Sequence, residues 1–444
     1  MPVEEFDVVV AGGGPAGSTV ASLVAMQGHR VLLLEKEVFP RYQIGESLLP
    51  STVQGVCRML GVMNELAGTN FRVKHGGTFR WGARSEPWTF SFADSPQLTG
   101  PTSFAYQVER ARFDEILLRN AQRKGVEVRE GCSVAGVIEG DERVAGLRYT
   151  DSDGGEHEVR ARFVVDASGN KSRLYSSVGG ARNHSDLPGG LALSGYFGRC
   201  REPAPYSGNT LIVAFESGWF WYTNITGGLS SVGAVVRPEM AEKIQGDREK
   251  AFAALIAECP LISELLSEAS RVKAGKYGKL RVSENYSYHQ TALWRPGMIL
   301  VGDAACVMDP VLSSGVHLAT YGALLAARSI NSVLADDLDE KTALTEFEAR
   351  YRREYGVFHD FLMSFYDMDV SEESYFRQAK KVTNSERTEL ESFVDLAVGL
   401  SSGEPAPTAP GGEDDAPEVP LFPGGMVASP DGMKWLPYPE AIRS

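Results

Sequence analysis

The sequence predicts an α/β protein that combines two differently built domains with a helical C-terminal region. Three observations predict it: a strand–turn–helix–strand run at the start, a stretch rich in β-branched and aromatic residues at 191–236, and helical patterning at about 316–400. At roughly 150 residues per domain, 444 residues allow two or three domains with a large buried core.

The composition excludes several classes of protein. An apolar fraction of 43% and a charged fraction of 23% are ordinary for a folded chain, while a net charge of 44 − 58 = −14 disfavours nucleic-acid binding. The five cysteines lie far apart without a CxxC pair, which favours reduced thiols over a disulfide framework or a metal site. Because the chain starts without a basic leader and has no apolar run of about 18 residues, we expect a cytoplasmic protein that stays out of membranes.

The first element is a βαβ unit with a glycine fingerprint. Strands are expected at Phe6–Ala11 and Arg30–Glu35, on either side of a helix at Ala16–Gln27. Between them, GGGPAG has the glycine spacing that permits a tight turn and a close approach to pyrophosphate, and an acid follows the second strand as an acceptor for ribose hydroxyls. This predicts a Rossmann-like dinucleotide site made of Gly12, Gly14, Pro15, Ala16, Gly17 and Glu35.

Two later segments end a strand with an aspartate. FVVDASGNKSRL places Asp166 after an apolar run, and MILVGDAACVMDPVLSSGVHLA places Gly302 and Asp303 in the same way, ahead of a helix that begins near Ser314. Aspartates at the carboxyl ends of strands suit the hydroxyl groups of a long cofactor, although each one alone also fits a helix cap. The helix N-terminus would offer unpaired N–H groups to an anion.

The rest of the chain completes the domains and adds a tail. A helix is expected at Val108–Lys124, strands at 126–150 and 156–166, an antiparallel sheet at 191–236, and further helices at about 247–270. Nine of the 23 prolines lie in the last 44 residues, so the tail is expected to be a disordered or surface-wrapping extension rather than a helix.

These segments, with Arg110 in VERARFD, resemble the para-hydroxybenzoate-hydroxylase-like superfamily, whose members bind FAD. A closer resemblance covers nearly the whole chain and is carried by FPRYQIGESLLP, KHGGTFRWG, SGWFWY, DPVLSSGVHLA and LFPGGMVASPDGMKWLP. In these segments the chain is similar to the flavin-dependent halogenases of glycopeptide-antibiotic biosynthesis, of the vancomycin and balhimycin type.

The resemblance implies a two-domain flavoprotein. The FAD-binding domain would comprise 1–80, 100–188 and 280–330, the antiparallel-sheet substrate domain 81–99 and 189–279, the helical C-terminal region 331–400 and the Pro/Gly-rich tail 401–444. Beyond the fingerprint, the implied FAD-binding residues are Arg41, Glu46, Ser47, Arg110, Asp166, Gly302, Asp303, Pro310, Gly315 and Val316. The halide would lie at Ser314 and Gly315, and no metal is implied.

The implied chemistry is that of an oxidoreductase using reduced FAD, O2 and chloride. A flavin hydroperoxide oxidises chloride to hypochlorous acid, which reaches Lys74 and is relayed from there to a phenolic ring. Without the family, Lys74 would be assigned to an exposed loop; burial would lower its pKa and favour an amine that captures chlorine. Trp219 and Trp221 would keep the ring away from the flavin.

The implied acceptor is a tyrosine or β-hydroxytyrosine carried on a peptidyl carrier protein, with a separate flavin reductase supplying reduced FAD. Carrier proteins are often acidic, so the docking site is expected at a basic patch. The candidates are Arg350, Arg352 and Arg353, or Lys380 and Lys381, although both sets also fit solvated helix faces.

One departure from the family pattern keeps two alternatives open. These halogenases usually carry Trp-x-Trp-x-Ile-Pro, whereas Thr223 and Asn224 stand here in place of Ile-Pro and are expected to loosen a turn and admit water. The alternatives are an FAD-dependent aromatic monooxygenase and a catalytically weakened halogenase homologue that serves an assembly line as a binding protein. Lys74 and the tryptophan pair oppose the first, and the intact flavin motifs oppose the second.

Overall fold

The computed structural model describes residues 4–83, 86–98, 103–203, 208–285 and 287–400, and the backbone of 420–422, 426–429 and 432–435. Most of the tail, for which the sequence predicts a disordered or surface-wrapping extension, lies outside the described residues. Its three described strands pair antiparallel with one another.

The strands are numbered in chain order. They are β1 (Glu4–Ala11), β2 (Val31–Glu35), β3 (Arg72–Lys74), β4 (Gly76–Arg80), β5 (Trp88–Ser91), β6 (Ala105–Gln107), β7 (Glu127–Glu130), β8 (Ser133–Glu139), β9 (Val144–Thr150), β10 (Glu156–Asp166), β11 (Arg182–His184), β12 (Gly190–Gly198), β13 (Thr210–Phe215), β14 (Gly218–Asn224), β15 (Leu229–Val236), β16 (Ser270–Arg271), β17 (Arg281–Asn285), β18 (Tyr288–Gln290), β19 (Trp294–Arg295), β20 (Met298–Leu300), β21 (Cys306–Val307), β22 (Pro420–Phe422), β23 (Met426–Ser429) and β24 (Gly432–Trp435).

The helices are numbered in the same way. They are α1 (Pro15–Ala25), α2 (Met63–Gly68), α3 (Arg110–Arg123), α4 (Arg248–Glu258), α5 (Pro260–Leu265), α6 (Gly315–Leu334), α7 (Glu340–Phe365), α8 (Glu372–Thr383) and α9 (Glu389–Ala397). A π-helical segment, Ser51–Cys57, follows the GESLLP motif, and a short 3-10 turn, Pro310–Leu312, precedes α6.

A largely parallel sheet carries the nucleotide-type motifs. Its strand order is β19-β20-β10-β1-β2-β7, with the β8–β9 hairpin attached to β10. Val8, Val9 and Val10 are fully buried, as continuous apolar runs are in parallel strands covered by helices. Because β2, β1, β10 and β20 run parallel, their carboxyl ends share one edge of the sheet, which places Glu35 and Asp166 at that edge and Asp303 just beyond it.

The second large sheet has the order β16-β12-β15-β14-β13-β4-β5, with β17 beside β12. Both faces of this sheet are buried, as the alternating side chains of β14 show. Phe220 and Tyr222 pack with Phe252 of α4, whereas Trp219 packs into the main core. The sheet is antiparallel through 190–236, as predicted, but β4 joins it parallel to β13.

A separate two-stranded ribbon, β3 and β6, places Lys74 opposite Ala105. The C-terminal helices pack on the rest of the fold: α6 lies against α1 and α7, and α8 lies against α7 and α9. Among the described residues no helix is long and apolar enough to cross a bilayer, and the cytoplasmic location stays a prediction.

The predicted α/β architecture is confirmed, including the βαβ opening, the helix near 108–124 and the helical C-terminal region. The π-helical segment at Ser51–Cys57 has no counterpart in the sequence prediction. The proposed division into domains stays a prediction.

Candidate active site

The glycine loop between β1 and α1 is shaped by close packing. Gly12 has φ +103°, and a Cβ there would lie 2.4 Å from the Ala167 carbonyl oxygen. A Cβ on Gly17 would lie 1.9 Å from the Gly12 carbonyl oxygen, so only glycine lets α1 pack this tightly. Pro15 begins the helix and Ala16 is buried beside it, which leaves the first backbone N–H groups of α1 directed at the loop.

Glu35, predicted to bind a ribose hydroxyl, also binds the backbone of the glycine loop, which its position in the sequence did not indicate. Its Oε2 accepts a hydrogen bond from the Gly13 N–H at 2.6 Å, and its Oε1 accepts one from the Glu37 N–H at 2.8 Å. The carboxylate therefore fastens the glycine loop to the end of β2. Its predicted hydrogen bond to a ribose stays a prediction.

A buried charge cluster stands beside the loop. Arg110 binds the carboxylate of Asp114 through two nitrogens, at 2.8 and 3.0 Å, and Arg41 donates to the same carboxylate at 3.0 Å. Burial opposes the charge of Arg110, but the Asp114 carboxylate outweighs it and holds the Arg110 pKa above its ordinary value. Arg41 is thus part of an interior cluster rather than a surface ion pair, and its guanidinium would lie 3.3 Å from a Cβ on Gly14. Asp114 was missed from the sequence, where it looked like an ordinary helical acid.

The two strand-end aspartates have different surroundings. Asp166 is fully buried and accepts hydrogen bonds from the Ser168 N–H, the Ser168 hydroxyl and the Ser172 hydroxyl, so it caps its own turn. Asp303, just beyond Gly302, makes no side-chain hydrogen bond within the described part of the chain. Burial raises its pKa, which the charge of Arg110 opposes. Asp303 is therefore the better placed of the two to bind a hydroxyl group.

The loop before α6 forms a short turn that could bind an anion. Asp309 Oδ1 accepts a hydrogen bond from the Val311 N–H at 3.0 Å, so it caps the 3-10 turn that starts at Pro310, and Ser313 follows with φ +61°. Ser314 is the N-cap of the long helix α6, and its buried hydroxyl has no hydrogen-bond partner among the described residues. A Cβ on Gly315 would meet nothing within 4 Å, and Val316, next in the helix, is buried. An orphaned hydroxyl beside a helix N-terminus suits an anion.

Lys74 is buried rather than exposed. Only 4% of it is accessible, and Nζ donates to Ser47 Oγ at 2.9 Å and to the Leu48 carbonyl at 3.2 Å. The amine also lies 5.4 Å from the centre of the Phe92 ring. Desolvation lowers the pKa of Lys74 to about 7, so near neutral pH the group is divided between amine and ammonium.

Glu46, an implied FAD-binding residue, belongs to a buried cluster of tyrosines. Its Oε1 accepts a hydrogen bond from the Tyr196 hydroxyl at 2.5 Å, and burial raises its pKa. The Tyr196 ring is 4.4 Å from that of Tyr277, centre to centre. Sequence reasoning missed Tyr196, which carries no motif signal.

The two tryptophans stand on the inner face of β14. Their ring centres are 6.2 Å apart, and Trp81 adds a third ring 6.4 Å from that of Trp219. Trp219 donates to the hydroxyl of Tyr366, and Trp221 donates to that of Ser231, both at 3.1 Å. These bonds fix the orientation of both indoles.

Thr223 and Asn224 lie in strand β14 rather than in a turn, so the expected loosened turn is absent from the described chain. Both are buried, and Asn224 accepts a hydrogen bond from the Ser230 hydroxyl at 2.6 Å. The Thr223 hydroxyl lies 3.3 Å from that of Thr210, its cross-strand neighbour. The two polar side chains are therefore satisfied inside the sheet.

An open cavity of about 500 Å³ adjoins the strand that bears Lys74. Val73 and His75, on either side of Lys74, line it together with the β14–β15 connection from Asn224 to Ser230. Its rim also includes Arg72, which is ion-paired with Glu202 at 2.5 Å.

The positive charge of the first candidate docking patch, which comprises Arg350, Arg352 and Arg353, is largely neutralised by ion pairs. Arg350 pairs with Glu346, and Arg352 pairs with Glu348. Lys380 and Lys381 end α8 and make no ion pair with the described residues.

Comparison with known proteins relates this arrangement to other chains. A family model described as tryptophan halogenase matches residues 7–100 and 93–406. The tryptophan 2-halogenase of Chondromyces crocatus is 32% identical over 383 residues, covering 85% of this chain and 71% of the relative. The 1H-pyrrole-2-carbonyl-(peptidyl-carrier protein) chlorinase of Pseudomonas fluorescens is 28% identical over 393 residues, covering 83% and 85%.

Two solved structures extend the comparison. The myxobacterial chondrochloren halogenase CndH, described as a new variant of FAD-dependent halogenases, superposes with a TM-score of 0.80 and 54% identity, covering 90% of this chain and 91% of that one. The flavin-dependent brominase Bmp2 gives a TM-score of 0.77 and 26% identity, covering 89% and 94%.

Proposed function

The chain belongs to the tryptophan halogenase family and is an FAD-dependent halogenase, and from that premise we propose that it chlorinates a phenolic ring of the tyrosine or β-hydroxytyrosine type. The observation that supports chlorination is the buried amine of Lys74. The phenolic acceptor and the place of the protein in glycopeptide-antibiotic biosynthesis rest on the resemblance of the sequence motifs alone.

The residues present fit FAD. The glycine loop holds no side chain between its backbone and a pyrophosphate, Arg41 stands beside it, and the Asp303 carboxylate makes no hydrogen bond within the described chain. The orphaned Ser314 hydroxyl and the N-terminus of α6 would hold chloride. Bound reduced FAD would supply two electrons that activate O2, and O2 would be the oxidant that turns chloride into hypochlorous acid.

Lys74 would receive that hypochlorous acid. As an ammonium it donates hydrogen bonds that polarise the Cl–O bond, and as an amine it takes the chlorine to give a chloramine and water. Because the pKa of Lys74 is lowered to about 7, both forms are populated near neutral pH. Either form delivers chlorine with a direction that free hypochlorous acid lacks.

The tryptophans would keep the acceptor ring apart from the flavin. Trp219 and Trp221 are held by hydrogen bonds on β14, and Trp81 closes the wall behind Trp219. A wall fixed in this way admits a small acid while excluding an aromatic ring, which separates chlorination from ring hydroxylation.

The acceptor ring would lie on the side of β3 to which Lys74 points, opposite the cavity lined by Val73 and His75, because side chains alternate along a strand. A peptidyl carrier protein as the bearer is supported by the related chlorinase, whose substrate is carrier-bound. Lys380 and Lys381 are then the better placed docking patch for an acidic carrier, and a separate reductase supplies the reduced FAD.

The test supplies reduced FAD, O2 and chloride, with a trap for hypochlorous acid and tyrosine either free or loaded on a carrier protein. Wild type should form hypochlorous acid and chlorinate the loaded tyrosine faster than the free amino acid. Lys74→Ala should form the oxidant while losing transfer to the ring. Chlorination of a carrier-bound pyrrole or of tryptophan in preference to the phenol would contradict the proposed acceptor, and hydroxylated product without chloride dependence would favour the monooxygenase.

A further inference from the structure

Ser47 stands between Lys74 and a chain of buried hydroxyl groups. Its Oγ accepts a hydrogen bond from Lys74 Nζ at 2.9 Å and another from Thr210 Oγ1 at 3.1 Å. A hydroxyl group has two acceptor positions and one proton, so both acceptor positions are filled. Within the described chain Ser47 donates to no group, and its side chain is only half-buried, which leaves its proton available to a molecule bound in the site.

The groups behind Ser47 are fixed so that they donate toward it. Thr210 Oγ1 accepts a hydrogen bond from Gln107 Nε2 at 2.9 Å and lies 3.3 Å from Thr223 Oγ1. Because Thr210 gives its only proton to Ser47, Thr223 must be the donor in the second contact. Thr210, Thr223 and Gln107 are all buried, so water does not compete for these bonds.

We propose that Ser47 is a catalytic proton shuttle between the Lys74 amine and hypochlorous acid, and that Thr210 and Thr223 are the residues that position it. This inference rests on the proposed function, which supplies the hypochlorous acid. The lysine nitrogen attacks chlorine, and the electron pair of the breaking Cl–O bond moves to oxygen. One Lys74 N–H proton passes to Ser47 Oγ while the Ser47 proton passes to the departing oxygen. The products are a lysine chloramine and water, with Ser47 regenerated.

The chain behind Ser47 assists this transfer electrostatically. Ser47 gains partial negative charge whenever its own proton moves ahead of the incoming one, and the Thr210 hydroxyl donates to that oxygen. Thr223 in turn strengthens Thr210 as a donor, because linked hydrogen bonds polarise one another. Isoleucine at 223, the residue of the usual motif, would leave Thr210 with one donor fewer.

The experiment measures chlorine on Lys74 per hypochlorous acid formed. Holoenzyme is given reduced FAD, O2 and chloride without an acceptor, then quenched and mapped by mass spectrometry, while a parallel sample is trapped for hypochlorous acid. Ser47→Ala should lower the ratio about 100-fold, in the range of general acid–base catalysis. Ser47→Thr, which keeps the hydroxyl, should recover most of it. Thr223→Val should lower it about fivefold, the effect of one neutral hydrogen bond.

Two controls separate the shuttle from a structural effect. Thr78, a buried threonine of the same sheet that hydrogen-bonds with Thr89, lies off the chain, so Thr78→Val should leave the ratio unchanged. The wild-type chlorination rate should fall in D2O, and Ser47→Ala should lose most of that isotope effect. A wild-type ratio in Ser47→Ala, or an equal isotope effect in both, overturns the shuttle while leaving Lys74 as the acceptor of chlorine. Hypochlorous acid without chlorine on wild-type Lys74 would overturn the proposed role of Lys74 and the shuttle with it.

Discussion

Replacing Lys74 with methionine should make the protein more stable at neutral pH, by an amount that shrinks as the pH rises. Methionine fills a similar volume without a charge, so it removes the unfavourable burial of an ammonium group. It also removes the hydrogen bonds to Ser47 and Leu48, a loss of about 1–2 kcal/mol that does not depend on pH. The pH dependence therefore isolates the ionisation of Lys74.

The magnitude follows from the lowered pKa of Lys74. Between pH 7 and 10.5, the unfolded chain holds a proton on this lysine that the folded chain has released, so the wild-type unfolding free energy rises with pH. With a folded pKa of about 7 in place of 10.5, the ionisation destabilises the folded state by about 4.7 kcal/mol near pH 6 and about 2.1 kcal/mol near pH 9. The advantage of Lys74→Met should thus shrink by about 2.6 kcal/mol over this range.

The assay is urea unfolding of both proteins followed by tryptophan fluorescence, at intervals from about pH 6 to pH 9. The difference between the unfolding free energies of the two proteins isolates Lys74, because the other ionisable groups around it are present in both. These groups are Glu46, which is hydrogen-bonded to Tyr196, Tyr106 on the neighbouring strand, and His75 and the ion-paired Arg72 on the same strand as Lys74. The exposed Lys36→Met serves as the matched control and should give a curve parallel to that of wild type. If Lys74→Met also ran parallel to wild type, the amine would be hydrated in solution, and its proposed capture of chlorine as a neutral amine would lose its physical basis.

Three further predictions concern the cofactor and halide sites. Asp114→Asn should lower the unfolding free energy by about 3 kcal/mol, because the guanidinium groups of Arg41 and Arg110 lose their shared carboxylate. Urea unfolding checks this, and Glu115→Gln, which breaks the more exposed ion pair with Arg112, is the control. Ser314→Ala removes an unpartnered buried hydroxyl, so it should raise KM for chloride several-fold without loss of stability, and a destabilised variant would contradict that assignment. Gly17→Ala would place a Cβ 1.9 Å from the Gly12 carbonyl oxygen and should abolish FAD binding in equilibrium titration, whereas Gly68→Ala, with nothing within 4 Å of its added Cβ, should bind normally.

The sequence predicted local elements well because their signals are local. The glycine spacing, the apolar strands and the helix start after Ser314 each follow from residues adjacent in the chain. The surroundings of Lys74 could not be read in this way. Its three-residue strand is too short for a periodic signal, and its burial depends on Leu48 and Phe92, which other segments bring to it.

The roles of acidic residues were harder to predict than their positions. Glu35 and Asp166 occupy the expected strand ends, yet both accept hydrogen bonds from backbone N–H groups. Glu35 is bonded by Gly13 of the glycine loop and by Glu37, and Asp166 is bonded by Ser168 of its own turn. Asp303, with a similar sequence signal, is not so engaged within the described chain. What separates them is whether a nearby turn presents donors to the carboxylate, and that depends on φ and ψ angles that the sequence does not specify.

Thr223 and Asn224, which stand in place of Ile-Pro, are accommodated by hydrogen bonds inside the sheet. The pairing of Leu211 with Tyr222 sets Thr210 opposite Thr223 on the face that looks toward Lys74. Two threonines on facing strands satisfy each other, whereas an isoleucine would leave the Thr210 hydroxyl with one partner fewer in a buried position. Asn224 is the last residue of β14, and a proline there could not pair fully with the neighbouring strand because it has no backbone N–H. The Asn224 side chain accepts a hydrogen bond from the Ser230 hydroxyl. Since both residues are hydrogen-bonded inside the strand, they do not support a weakened enzyme, and the binding-protein alternative keeps only its other sequence feature, the acidic, proline-rich tail with Glu413, Asp414 and Asp415.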